Sequence, residues 1–81
     1  MLMAVHIEPR TAAQGHVVSN PGILGGSPVF AGTRVPVATL FDYLADGLSL
    51  DYFLESFPSV GRDQATAVLR YGLEQIEREL A

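Results

Sequence analysis

Arg34 is the residue whose type and setting best suit the binding of an anion. It follows Gly32 and Thr33, and its planar guanidinium can donate two parallel hydrogen bonds to a phosphate or a carboxylate. The alternative is structural, because the same donors could bind backbone carbonyls of the turn or the carboxylates of Asp42 or Asp46. The sequence leaves both interpretations open, and Arg34 is a candidate DNA-binding residue.

A second group of polar side chains lies on the last predicted helix. At 100° per residue, the residues turned away from the apolar stripe are Asp63, Ala67, Arg70, Glu74 and Arg78. The outward residues of its N-terminal half would be Arg62, Asp63, Gln64, Thr66, Ala67 and Arg70. In a DNA-reading helix such side chains meet base edges, so Gln64 could bind adenine and Arg70 could bind guanine or a phosphate. With Arg34, the predicted DNA-binding residues are therefore Arg62, Gln64, Thr66 and Arg70.

The same helix face has a plainer interpretation. The Asp63 carboxylate would be repelled by phosphates, and Arg70, Glu74 and Arg78 are spaced as the i,i+4 ion pairs of a solvent-exposed helix. The two interpretations differ in what Arg70→Glu would do. The first predicts loss of DNA binding, and the second predicts only a disturbed surface pair.

Residue types that carry catalysis or bind metals are scarce. The chain has no cysteine, and neither His6 nor His16 belongs to a His-x-x-x-His or carboxylate cluster. Ser49 and Ser59 precede predicted helices, where capping accounts for them. The glycines lack the Gly-Lys-Ser/Thr ending of a phosphate-binding loop. We expect no enzyme activity, no metal or cofactor and no small-molecule substrate.

Length and charge limit the partners. A chain of 81 residues with 48% hydrophobic and 17% charged residues has more apolar surface than one small core easily covers. The formal net charge is −4, all five bases are arginine, and the acids are concentrated in residues 37–81. Any nucleic-acid contact must therefore be local, and the acidic half suits a basic partner.

The first half of the chain predicts short strands and turns. Residues 4–7 and 16–18 are β-prone, and residues 19–22 contain a turn signal with Asn before Pro. Two further β-prone triplets, residues 29–31 and 34–36, flank a Gly-Thr pair. They predict a hairpin with Gly32 at the strained turn position.

The second half predicts three helices. The first begins after Pro36 and stops at Gly47; the second is capped by Ser49 and closed by Pro58. The third runs from Gly61 or Arg62 to Leu80, with Ser59 as its candidate cap. The apolar stripes are Val37, Leu40, Phe41, Leu44 and Leu48; Leu50, Phe53, Leu54 and Phe57; and Ala65, Val68, Leu69, Gly72, Leu73, Ile76 and Leu80.

Three segments carry a likeness to a known family. They are Gly-Gly-Ser-Pro-Val-Phe-Ala-Gly-Thr-Arg-Val-Pro-Val over residues 25–37, Leu-Ala-Asp-Gly-Leu-Ser over residues 44–49 and Phe-Pro-Ser over residues 57–59. With them, the chain resembles the family called domain of unknown function 433 from residue 19 to about residue 76. The first segment is long and ordered, which makes the likeness specific.

The resemblance implies a function. Members of that family are small helix-turn-helix-like proteins, often encoded beside PIN-like nucleases, and are interpreted as antitoxins of type II toxin–antitoxin pairs, including VapB-type ones. It therefore implies a PIN-like nuclease partner, operator DNA and repression of the chain's own operon. The family often has Lys at Ser27 and Arg at Ala31, so phosphate contact beside Arg34 should be weaker here by up to about two counterions.

These observations predict one mainly α domain over residues 1–81. It comprises an N-terminal arm with strands over residues 1–18, a β-turn segment over 19–36 and a three-helix, helix-turn-helix-like bundle of winged-helix or homeodomain type over 37–81. We expect a cytoplasmic homodimer, joined by strand pairing or by the N-terminal arm, without a signal peptide or membrane contact. The alternative function is a protein-interaction or dimerisation module with no nucleic-acid role, which the charge of −4 favours.

Overall fold

The computed structural model describes residues 9–80, with the strands before the helices along the chain. Three short strands, β1, β2 and β3, span Arg10–Ala12, Val17–Ser19 and Val29–Phe30. They form one antiparallel sheet in the order β1-β2-β3. Three helices follow: α1 over Val37–Ala45, α2 over Leu50–Ser56 and α3 over Arg62–Leu80. The three predicted helices are therefore confirmed, and they follow a small antiparallel sheet.

The β1–β2 hairpin is predicted only in part. The strand predicted over residues 16–18 is confirmed as β2, shifted by one residue, whereas β1 escapes prediction because a threonine is its only β-prone residue. The strand predicted over residues 4–7 lies outside the described residues. The connecting turn holds Ala13, Gln14 and Gly15 with φ of 53°, 58° and 88°, a left-handed conformation that only glycine adopts without strain.

The second predicted hairpin, around Gly32, is confirmed. The Phe30 N–H donates to the Val35 carbonyl at 3.0 Å, and an isolated antiparallel bridge joins β3 to Pro36. Gly32 has a φ of 77°, as the tight turn requires. The Thr33 hydroxyl donates to the Phe30 carbonyl at 2.8 Å and accepts from the Val35 N–H at 3.0 Å, which closes the turn.

The end of α1 follows the glycine signal. Gly47 has a φ of 86° and donates its N–H to the Leu44 carbonyl, while the Leu48 N–H donates to the Tyr43 carbonyl, both at 3.0 Å. These two bonds form a Schellman motif, which confirms the predicted stop. Leu48 was predicted to continue the apolar stripe but lies beyond the helix and is exposed.

The caps of α2 and α3 differ in kind. The Ser49 hydroxyl accepts from the Tyr52 N–H at 3.0 Å, which confirms Ser49 as the cap of α2. The cap of α3 is Gly61 rather than Ser59, because the Gly61 carbonyl accepts from the Ala65 N–H at 3.1 Å. The Gly61 N–H is itself bound by a side chain from within the helix, as in a capping box.

The core lies where the sheet meets the three helices. Its buried members are Ala13, Phe30, Leu40, Phe53, Val60, Ala65 and Val68. The Phe30 and Phe53 rings are 6.0 Å apart, and Tyr43 packs edge-on against Phe53 at 5.5 Å. Burial of each phenylalanine contributes about 2–3 kcal/mol. Tyr43 lies outside the predicted stripe of α1 but belongs to this aromatic cluster. Its ring is apolar and packs here, and only its hydroxyl is polar.

Helix α3 divides into two unlike halves. Ala65 and Val68 are buried, as their place in the predicted stripe requires. Leu73, Ile76 and Leu80 belong to the same predicted stripe but are 55%, 56% and 82% exposed. The predicted stripe is therefore core only in its first half. Within residues 9–80, the structure contains no helix long and apolar enough to cross a lipid bilayer.

Candidate nucleic-acid interface at the start of helix α3

A groove of about 390 Å³ runs between the β1–β2 turn and the first half of α3. We call it the α3 groove. It is lined by Ala13, Gln14, His16, Arg62, Asp63, Thr66, Ala67, Arg70, Tyr71 and Glu74. Three of the five predicted DNA-binding residues, Arg62, Thr66 and Arg70, therefore share one site.

Small residues bring the two walls of the groove together. Ala13 in the turn and Ala65 on α3 are both buried in the core, and their short side chains allow the turn to approach the helix. Ala13 and Gln14 hold left-handed φ values that cost roughly 1–3 kcal/mol each. Ala13 is buried in the core, which fixes the turn against α3 and leaves the exposed Gln14 at the groove edge.

His16 enters the groove from a fixed backbone. Its N–H donates to the Ala13 carbonyl at 3.1 Å, and its carbonyl accepts from the Ala31 N–H at 2.8 Å. The imidazole thereby faces the first half of α3 and is half-buried. Sequence reasoning missed His16, Gln14 and Tyr71 as site residues, because only the turn geometry places them beside α3.

Arg62 lies at the first position of α3 and pairs with a carboxylate of α2. Its Nη2 donates to Asp51 Oδ1, and the two side chains are 60% and 72% exposed. Solvent screening limits an ion pair this exposed to about 0–1 kcal/mol. A phosphate could therefore compete with Asp51 for the Arg62 guanidinium.

Thr66 and Arg70 continue the same face of the helix. Arg62, Thr66 and Arg70 are four residues apart, so each lies about one turn beyond the last. Arg70 is exposed and Thr66 is half-buried between the two arginines. This row presents two guanidinium groups with a hydroxyl between them.

Gln64 does not line the groove and makes two hydrogen bonds within the protein. Its Nε2 donates to the Ala31 carbonyl at 2.9 Å, and its Oε1 accepts from the Gly61 N–H at 2.9 Å. The second bond is half of a capping box, whose Gly61-x-x-Gln64 spacing is visible in the sequence. These two bonds hold the Gln64 side chain against Ala31 and Gly61, so its predicted role in DNA binding must compete with a structural one.

Arg34 is exposed and does not line the groove. Within residues 9–80, it makes no ion pair with Asp42 or Asp46, and the hydroxyl of Thr33 closes its turn instead. The structure therefore does not bring Arg34 into the groove that Arg62, Thr66 and Arg70 line. Its role as a phosphate contact stays a prediction.

The charges of the groove balance. The arginines Arg62 and Arg70 are matched by the carboxylates of Asp63 and Glu74. A groove of this kind gains little from long-range attraction to a polyanion. Binding of a phosphate here would depend on direct guanidinium contacts.

Most of the described residues match a known protein family. The chain matches the family described as "Protein of unknown function (DUF433)" over residues 17–72, from the start of β2 to the middle of α3. A protein of Sinorhizobium fredii described as "Uncharacterized protein y4eO" is 41% identical over 58 residues, which is 72% of this chain and 26% of that protein. The chain thus spans about a quarter of the length of that relative. No solved structure matches the chain. Because the family match covers well over half of the residues, the chain belongs to the DUF433 family.

Proposed function

We propose that this chain is an antitoxin-like, non-catalytic DNA-binding protein of a type II toxin–antitoxin pair. In this proposal it represses its own operon and binds a PIN-like nuclease in the cytoplasm. The observation that carries the DNA-binding part is the row of Arg62, Thr66 and Arg70 on the outward face of α3. The nuclease and the operon come from the family resemblance described above.

The arrangement of α2 and α3 supports the proposal. Five residues, 57–61, join these helices, close to the roughly three or four of a helix-turn-helix unit, and α3 would be the recognition helix. Arg62 and Arg70 are eight residues apart, or about 12 Å along the helix axis. Both would therefore reach the same three or four base pairs, with Thr66 between them.

Two chains are needed for useful affinity. One chain supplies Arg62 and Arg70 against the carboxylates of Asp63 and Glu74. A dimer doubles the number of guanidinium groups, and if each neutralises one phosphate, the slope of log K against log salt is about −3.6. This small slope distinguishes the proposed contact from that of a strongly basic repressor.

The acidic surface of α1 and α2 supports the second half of the proposal. Asp42 on α1, Asp46 directly after it, and Asp51 and Glu55 on α2 are all exposed. They form an anionic surface that a basic partner protein would match. Mixing the purified chain with the product of its neighbouring gene tests this half, and failure to form a complex at micromolar concentrations would rule it out.

The DNA-binding half is tested by fluorescence anisotropy of labelled upstream DNA over a salt series. We expect salt-sensitive binding by the wild-type chain and its loss in Arg70→Glu. Arg78→Glu is the matched control, because it changes the charge equally on the same helix, outside the groove. Equal effects of the two variants would show that only net charge matters and would contradict a specific contact.

A protein-interaction module with no nucleic-acid role is the second candidate. It is favoured by the two carboxylates in the groove and by the internal hydrogen bonds of Gln64. Under this function, the wild-type chain would not bind DNA even near 50 mM salt, where electrostatic contacts are strong. The anisotropy series therefore decides between the two functions.

A further inference from the structure

The second half of α3 exposes apolar side chains in a narrow line. We call Leu69, Leu73, Ile76 and Leu80 the α3 stripe. Leu69 is half-buried against the core, and the other three are more than half exposed. At 100° per residue, all four lie within an arc of about 60°.

Beyond Leu69, which packs against the core, this stripe turns away from the chain's own core. Ala65 and Val68 mark the core face of α3, which farther along the helix carries the half-buried Gly72 and the exposed Gln75 and Glu79, with Ile76 at its edge. The stripe is turned about 90° from that face. Within residues 9–80, no other element covers it, so an apolar surface remains for a partner.

The spacing of the stripe identifies a partner with the same pattern. Its members are separated by four, three and four residues, which is the a/d spacing by which two helices pack side by side. We propose that the stripe binds the stripe of a second copy of this chain in an antiparallel orientation. Leu73 would then face Ile76 of the other copy, and Leu69 would face Leu80.

Charges beside the stripe select the antiparallel orientation. Arg70 and Glu77 flank the stripe on the same side, and in an antiparallel pair each Arg70 lies opposite Glu77 of the other copy. Symmetry makes this pair twice. In a parallel pair, Glu77 would face Gly72 and Arg70 would face Ala65, so no opposite charges would meet.

The other flank of the stripe allows close approach. Gly72 has no side chain, and an added Cβ there would lie 3.9 Å from the Phe41 ring. Phe41 is itself 43% exposed and extends the apolar surface beside the stripe. Phe41 therefore borders this flank, and a second helix lying on the stripe would contact its exposed ring. The paired segment is short, so its position on a folded domain is needed to stabilise it.

Analytical ultracentrifugation of the whole chain tests the contact, without DNA. We expect a dimer at micromolar concentrations and an increase of about tenfold or more in the dimer dissociation constant for Ile76→Glu. Gln75→Glu is the matched control, because it adds the same charge one residue away on an exposed face off the stripe. A wild-type monomer, or equal effects of both variants, would overturn the proposal.

Charge reversal tests the orientation. Arg70→Glu and Glu77→Arg should each weaken the dimer, and the double variant should restore it. A dimer dissociation constant that is the same in all these variants as in the wild-type chain would refute the antiparallel pairing. The double variant also separates this proposal from the proposed function, because it restores the dimer while still lacking the Arg70 contact to DNA.

Thiol crosslinking gives an independent measure of register, since the chain has no cysteine. A mixture of Leu69→Cys and Leu80→Cys chains should crosslink through a short reagent, and Leu80→Cys alone should not. Crosslinking of Leu80→Cys alone, without crosslinking of the mixture, would indicate parallel helices. A dimer that survives Ile76→Glu but is lost on removing residues 1–8 would assign the contact to the N-terminal segment and overturn the proposal.

Discussion

The two halves of α3 carry similar apolar patterns but lie in opposite surroundings. In the first half, Ala65 and Val68 are buried under the sheet and the other helices, while in the second half Leu73 and Ile76 are more than half exposed. The family match ends at Gly72, between these halves. The comparison shows that apolar periodicity identifies a face that something must cover, without saying whether the cover is the same chain.

The largest expected effect comes from placing the same charge in each half. Val68→Asp buries an unpaired carboxylate, which should cost about 4 kcal/mol or more and unfold most molecules of a domain this small. Leu73→Asp places its charge in water and should change the free energy of unfolding of the isolated chain by less than about 1 kcal/mol. Urea denaturation at a concentration where the chain is monomeric measures both. Similar losses would show that the second half of α3 is packed against its own domain.

Operator geometry gives the next largest effect, if both the DNA contact and the antiparallel dimer hold. In the antiparallel dimer, Arg70 and Glu77 of both copies lie on one side of the helix pair. The α3 grooves of the two chains, which Arg70 lines, therefore open on that same side. The two Thr66 residues would then lie about 26 Å apart along the helices and the two Arg62 residues about 38 Å apart. One turn of DNA, at 34–36 Å, lies between these values.

Changing the spacing between half-sites tests this geometry. Inserting about half a helical turn between them should rotate one half-site away and reduce affinity roughly a hundredfold, whereas a full turn should restore part of the binding. Anisotropy with the three DNA duplexes measures the effect. Equal affinities for all three would mean that each chain binds DNA independently, even if the dimer itself is intact.

Gln64→Ala should have an intermediate effect, confined to stability. It removes the bond to the Ala31 carbonyl and the bond from the Gly61 N–H, which together contribute about 1–2 kcal/mol. Gln64→Glu keeps an oxygen for Gly61 but loses the donor to Ala31, so about half of the loss is expected. Thermal unfolding measures both variants. A large fall in DNA affinity for fully folded Gln64→Ala would instead support the predicted contact with adenine.

The sequence predicts the helices well because their signals are local. The Ser49 cap, the Gly47 stop and the turn at Gly32 each depend on a few neighbouring residues, and all three are confirmed. Gln14 and His16 escape prediction because the groove forms only when a strained turn meets a helix distant in sequence. The exposure of Leu73 also escapes prediction, because the periodicity of a helix does not show where the packed core beside it ends.

The smallest expected effect concerns the pair of Asp51 and Arg62 at the start of α3. Asp51→Asn removes an exposed ion pair, so the free energy of unfolding should fall by no more than about 1 kcal/mol. The change also frees the Arg62 guanidinium and removes a negative charge close to the groove. DNA affinity should therefore rise severalfold, in the opposite direction to stability.

Glu55→Gln is the control for Asp51→Asn, because it removes an equal charge from the same helix at an exposed position outside the groove. Anisotropy at low salt should show a larger gain for Asp51→Asn than for Glu55→Gln. An equal gain would mean that net charge alone sets the affinity, and then Arg62 would not act as a specific contact. Such a result would leave the first half of α3 as a packed helix with an ordinary solvated face, and the exposed stripe as its functional half.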